Sequence, residues 1–180
     1  HGGSDGPDWG YGIDERVADL VGLVEALELE NPILFGHSAG GSTVAWAAAR
    51  HPDLPRAVVL EDPDAWRGEP DMSPEEMAAF VRERVEGLAE QSVAEIAAEH
   101  DELGHEHARR VAVANTECDP NIAGFAAAGF EQTPEAFPDI EAPTLVLKRD
   151  TDPEERAEDL EIADALPDGR LVHVPGAGHH

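Results

Sequence analysis

Apolar residues recur at helical spacing near the start of the chain. Ile13, Val17, Leu20, Val21, Val24 and Leu27 predict an amphipathic helix from Asp14 onward. Pro32-Ile33-Leu34-Phe35-Gly36 is a short apolar run that ends at glycine and predicts a buried strand. The alanine-rich stretch 39–50 stops before His51-Pro52 and predicts a helix, and Arg56-Ala57-Val58-Val59-Leu60 predicts a second buried strand. Strand, helix, strand at this spacing is a parallel βαβ unit. The pattern then changes. Between Asp64 and Glu141 helical segments dominate, at 74–88 and 92–100, with Arg110-Val111-Ala112-Val113 the sole strand-like run. Ser73 and Glu76 form a capping box at the start of the first of these helices. After Pro143 the alternation returns, with strands at 144–147 and 170–174 and a helix at 153–166. The expected architecture is α/β, a mostly parallel sheet with flanking helices, organised as core 1–63, helical lobe 64–142 and core 143–180.

Charge narrows the partners. The 180 residues carry 39 acidic and 12 basic side chains, a formal net charge of −27. Phosphate recognition needs clusters of Lys and Arg, so nucleic acid is excluded as an expected partner. The acids are spread through helix-like segments rather than gathered in a tail, and a surface of this kind self-repels in dilute salt and is tolerated when counterions screen it. A halophilic protein is expected. Hydrophobic residues make up 41%, enough for a packed core, and no apolar run is long enough to span a membrane. The location expected is cytoplasmic. Because the first residue is His1 rather than Met, secretion stays open. The single Cys118 cannot form an internal disulfide.

Gly36-His37-Ser38-Ala39-Gly40 carries the candidate chemistry. A G-x-S-x-G sequence between a strand and a helix places its serine on a sharp turn with Oγ exposed. Such a turn is sterically tight, which accounts for glycine two residues either side of Ser38, at Gly36 and Gly40, with Gly41 giving slack where the helix packs. The helix N-terminus aims free N–H groups at a developing oxyanion, and Ala39 N–H is the natural donor.

The stretch from Gly36-His37-Ser38-Ala39-Gly40-Gly41 through His51-Pro52-Asp53 to Ala57-Val58-Val59-Leu60-Glu61-Asp62-Pro63 resembles the α/β-hydrolase superfamily of the capped esterase and C–C hydrolase type. His1-Gly2-Gly3-Ser4-Asp5 is similar to that family's Gly-His-Gly-x-Ser-Asp turn. Thr144-Leu145-Val146-Leu147 with Asp150-Thr151-Asp152-Pro153 resembles its acid loop, and Pro175-Gly176-Ala177-Gly178-His179 its histidine loop. The resemblance implies an inserted helical cap. It also implies that the family's first strands and its second oxyanion donor would precede His1, and that its final helix would follow His180.

A serine nucleophile needs a base, and the base needs an acid to hold its tautomer. The order Ser, acid, His, each on a loop after a strand, gives His179 as base, with His180 the neighbouring alternative. Asp152 matches the resembled acid position directly before the proline. Asp62, which also ends a strand, and Asp150 are the alternatives; some members take their acid from the position of Asp62. Where the family has glycine after this strand, Lys148-Arg149 stand here. His37 is read as a packing residue. His100, His105 and His107 lie among acids, but His105 and His107 two apart point to different sides of a helix, so no metal is expected. Trp66 and Phe80 are read as packing residues that could also line a pocket. The expected activity is hydrolysis of a small ester or acyl substrate by Ser38, His179 and Asp152 with Ala39 at the oxyanion, without cofactor. A C–C hydrolase, lactonase or peptidase on the same triad, or a binding relative with an idle triad, are the alternatives.

Overall fold

The structure, a computed structural model, describes residues 4–68 and 72–179. His1-Gly2-Gly3 of the first turn and the alternative base His180 lie outside the described residues. In chain order the elements are α1 (Ile13–Ala26), β1 (Ile33–His37), α2 (Ala39–Arg50), β2 (Ala57–Glu61), α3 (Pro74–Ala89), α4 (Val93–Ala98), α5 (His105–Thr116), α6 (Ala123–Ala127), β3 (Thr144–Lys148), α7 (Pro153–Ala163) and β4 (Gly169–His173). A 3-10 helix, Thr133–Asp139, precedes β3. They fall into two compact units: residues 13–68 with 130–179, and residues 4–12 with 72–129.

The first unit is an α/β sheet structure. Among the described residues its strands run in the order β1-β2-β3-β4 and each neighbouring pair is parallel. The registers, Leu34 opposite Val58, Leu60 opposite Val146 and Lys148 opposite His173, bring the carboxyl ends of the strands together along one edge of the sheet. Alternation decides which residues face the core: Leu34, Val58, Leu60 and Val146 are buried, packed with Val44, Ala45 and Ala48 of α2 and with Phe137 and Ile140. The small side chains of α2 let that helix lie close on the sheet, which explains its alanine content. Truncating a fully buried side chain such as Phe137 to alanine would cost about 3–5 kcal/mol.

The opposite face of the sheet differs from the expectation of buried strands. Ile33 is 52% exposed, Phe35 59% and Val172 46%, so the described residues cover only one face of these parallel strands. The boundaries differ too. Trp66, Phe137 and Ile140 belong to the sheet unit's core, which assigns 64–68 and 130–142 to that unit rather than to the helical lobe. A 3-10 helix carries no periodic signal of either kind, so this segment is not separable from the lobe by pattern alone.

The second unit is helical. Ser73 caps α3 with the reciprocal Glu76 contact the sequence predicts, and Ser92 with Glu95 repeats the device at α4. The strand-like run 110–113 lies inside α5, where buried Ala108 and Ala112 sit four residues apart on one face. Residues 4–12 pack here, with the Asn121 side chain donating to the Gly6 carbonyl at 2.8 Å. Among the described residues no helix is long and apolar enough to cross a membrane.

Candidate active site

The loops at the carboxyl edge of the sheet hold the candidate residues. Ser38 sits between β1 and α2 with φ 52° and ψ −123°, a conformation that costs a non-glycine residue about 1–3 kcal/mol. Four backbone hydrogen bonds impose it. Ser38 N–H donates to the Glu61 carbonyl at 3.0 Å, and the Ser38 carbonyl accepts from Gly41 at 2.8 Å, Ser42 at 3.2 Å and Asp64 at 3.3 Å. A Cβ at Gly36 would strike the Gly40 carbonyl group, and one at Gly41 would lie 2.9 Å from Pro63 Cβ. At Gly40 a Cβ would meet nothing, so the crowded positions are Gly36 and Gly41, not the pair flanking Ser38.

His179 reaches this serine from the loop after β4. Its Nε2 lies 3.1 Å from Ser38 Oγ, and its Nδ1 lies 2.6 Å from Oδ2 of Asp62. Asp62 follows β2, is buried, and takes φ 36°, held there by its N–H donating to the Leu147 carbonyl at 2.7 Å. Burial pushes the Asp62 carboxyl up. Hydrogen bonds from Lys148 and His179, with the charges of Lys148 and Arg149, outweigh burial and hold it below the ordinary carboxylate range. A carboxylate only accepts, so the proton of neutral His179 sits on Nδ1 and the Nε2 lone pair faces Ser38.

Asp152, the expected acid, does not come to His179. It is exposed and caps α7, its Oδ1 accepting from the N–H groups of Glu154 at 2.9 Å and Glu155 at 3.0 Å, with Pro153 at the first helical position. An aspartate before proline is as good a helix start as it is an acid-loop signal, and here the helix claims it. Asp150, the other alternative, braces the histidine loop. It accepts from Gly176 N–H at 2.7 Å, its own N–H donates to the Ala177 carbonyl at 2.9 Å, and Arg156 pairs with it.

His37 does more than pack. Its Nε2 donates to the backbone carbonyl of His179 at 2.6 Å, and the two rings lie 4.9 Å apart. Trp66 is buried edge-on against Phe137 and its indole N–H donates to Asp159 at 2.7 Å. Phe80 is exposed on α3, and His105 and His107 are exposed on α5. Ala39 occupies the first turn of α2, where a helix leaves its N–H groups without intrahelical acceptors. A profile of the alpha/beta hydrolase family matches residues 1–180.

The chain belongs to the alpha/beta hydrolase family.

Within that family, a 62-residue stretch is 44% identical to a 2-(acetamidomethylene)succinate hydrolase of Mesorhizobium japonicum, covering 34% of this chain and 22% of that protein. A 50-residue stretch is 46% identical to a non-heme chloroperoxidase of Streptomyces lividans, covering 28% of this chain and 18% of the relative. The matched stretches thus span about a fifth of these relatives' lengths. The crystal structure of the enol-lactonase from Burkholderia xenovorans LB400 superposes with a TM-score of 0.71 at 26% identity, over 99% of this chain and 70% of that one.

A second buried carboxylate shares the acid-side environment. Burial raises Asp159, but hydrogen bonds from Arg67, His173 and Trp66 and the charge of Lys148 pull it below the ordinary range. Asp62 and Asp159 are thus both depressed in the fold, so their stabilisation is fully present above the unfolded value near 4 and is lost as pH falls through the lower folded values. The Asp159→Asn variant is expected to be less stable at neutral pH, by roughly 3 kcal/mol. Its stability should also fall less steeply than the parent's on acidification below about pH 4. Urea unfolding across that pH range measures both.

Proposed function

We propose that the protein is a serine hydrolase that cleaves a small ester through an acyl-enzyme, and that it is built to work in concentrated salt. The observation that carries the first part is the hydrogen-bonded chain from Ser38 Oγ through His179 to Asp62, at 3.1 and 2.6 Å, on a turn whose backbone is held in a strained conformation. In this mechanism His179 Nε2 takes the Ser38 proton as Oγ bonds to the ester carbonyl carbon. Asp62 accepts the Nδ1 hydrogen throughout and stabilises the imidazolium. The Ala39 N–H donates to the oxyanion, an interaction worth about a hundred- to a thousand-fold in rate. His179 then returns the proton to the departing alcohol, and a water activated by the same imidazole releases the acid. The helical unit, 72–129, is read as the part of the chain that selects the acyl or alcohol group.

A lactone is the second substrate class, favoured by the likeness to the enol-lactonase, since ring opening uses the same acyl transfer. A panel of aryl esters, lactones and amides decides between them. Esters or lactones should be turned over, and amides much more slowly. Failure across both ester and lactone arms, with the serine intact, would mean a binding role instead.

The surface supports the salt requirement. With 39 acids against 12 bases, carboxylate repulsion reaches over about 30 Å in dilute buffer near 0.01 M and over only about 3 Å at 1 M salt. The melting temperature is expected to climb steeply as KCl rises toward molar concentrations. A flat response in a scanning calorimeter would leave an acidic protein with no dependence on salt.

A further inference from the structure

Asp62 has a second partner on the side away from His179. Lys148, the last residue of β3, places Nζ 2.6 Å from Asp62 Oδ1 while His179 holds Oδ2. Both ends of this ion pair are buried, Lys148 at 8% exposure and Asp62 at 5%. The Lys148 ammonium also lies 4.7 Å from the centre of the Trp66 ring, whose N–H in turn holds Asp159. Lys148 is the sole lysine of the chain; the other eleven basic residues are arginine. The position therefore carries a compact ammonium in a protein that otherwise uses the larger, planar guanidinium.

Stability alone is a poor reason for such a pair. Desolvating two charges costs as much as their attraction returns, and apolar replacements of similar volume are often neutral or stabilising. The geometry suggests a reason in the site itself. Asp62 is held from both oxygens, so its carboxylate plane is fixed relative to the imidazole. A positive charge on its far side also draws on the same carboxylate that supports the imidazolium.

We propose that Lys148 is a positioning residue for the hydrolytic site, one that clamps Asp62 against His179 and lowers the proton affinity of the His179–Asp62 pair so that the base is free at lower pH. This rests on the reading of Ser38, His179 and Asp62 as the catalytic groups. Among the described residues, charged or titratable groups that face the pair include His37 from β1, Arg149, whose guanidinium is 3.8 Å from Asp62 Oδ2, and Asp150 under the histidine loop. Beyond Lys148 stand Asp159 of α7, with His173 of β4 and Arg67 bound to it. These remain in place when Lys148 is changed, so the variant isolates one charge. Two coupled groups share their protons, and removing a nearby cation stabilises the protonated pair whichever member holds the proton.

The test is the pH profile of kcat/KM for Lys148→Met and Lys148→Arg beside the parent, with Ser38→Ala as a control. In Lys148→Met the acidic limb is expected to move to higher pH by about one unit, as befits the loss of one charge a few ångströms away. In Lys148→Arg it should stay near the parent's. An unmoved limb in an active Lys148→Met protein, or an equal displacement in both variants, would overturn the role assigned to Lys148. Turnover near the parent's rate in Ser38→Ala would instead overturn the underlying serine mechanism. A second readout uses the parent protein and so does not depend on the variants folding. Labelling with 15N-lysine gives a single side-chain amine signal, which should shift along the same acidic limb. A signal that is flat through that limb would contradict the proposal.

Discussion

Asp62→Asn is expected to lower kcat by about ten-thousand-fold with little change in KM, because an amide at that position can donate to Nδ1 and favours the tautomer of His179 that cannot accept the serine proton. The expectation follows from one contact, the 2.6 Å approach of Asp62 Oδ2 to His179 Nδ1. Asp152→Asn provides the contrast. Asn caps a helix about as well as Asp, so α7 should keep its first turn, and the variant should keep its kcat. Asp150→Asn should fall between them. It weakens the hold on Gly176 and the ion pair with Arg156, and so loosens the loop that carries His179 without touching the ring. Steady-state kinetics of the three variants on one ester ranks the acids directly. Equal modest losses in all three would remove Asp62 from the mechanism.

Ser38→Ala should cost still more, on the order of a million-fold in kcat, the scale on which loss of the nucleophile is felt when the groups of a triad act as a unit. The residual rate should be that of a bound substrate facing an oxyanion donor and no nucleophile, about a thousand- to ten-thousand-fold above the uncatalysed reaction. The variant should also fold as well as the parent. The strained turn is imposed by the backbone bonds to Glu61, Gly41, Ser42 and Asp64, and the hydroxyl takes no part in them. Combining Ser38→Ala with Asp62→Asn should add almost nothing to the loss, since Asp62 acts through His179 on a nucleophile already gone.

The turn that carries Ser38 was legible because its steric demands are local. A strand, a serine, a glycine too crowded to carry a Cβ and a helix all lie within residues 33–50, and the parallel pairing of β1 with β2 follows from the strand-helix-strand alternation. The geometry around Asp62 is not local. Asp62 and Asp152 both follow strands, and what separates them is a lysine on the neighbouring strand and a proline that recruits Asp152 as a helix cap. The sequence carried one trace of this. Lys148-Arg149 stands where glycine is expected, and those two cations are the ones that face Asp62. His37 was hidden for a related reason. Its partner is a backbone carbonyl 142 residues away, and no side-chain pattern announces that bond. The compact units divide differently from the expected core and lobe at two places without a periodic signal, the opening turn 4–12 and the 3-10 helix that packs with Trp66.

Labelling with a fluorophosphonate, with the adduct mapped by mass spectrometry, tests most directly whether Ser38 is a nucleophile driven by His179 and Asp62. The adduct is expected on Ser38 alone, forming quickly in the parent and in Asp152→Asn and several orders of magnitude more slowly in Asp62→Asn. An adduct on another residue, or labelling of Asp62→Asn at the parent's rate, would contradict it.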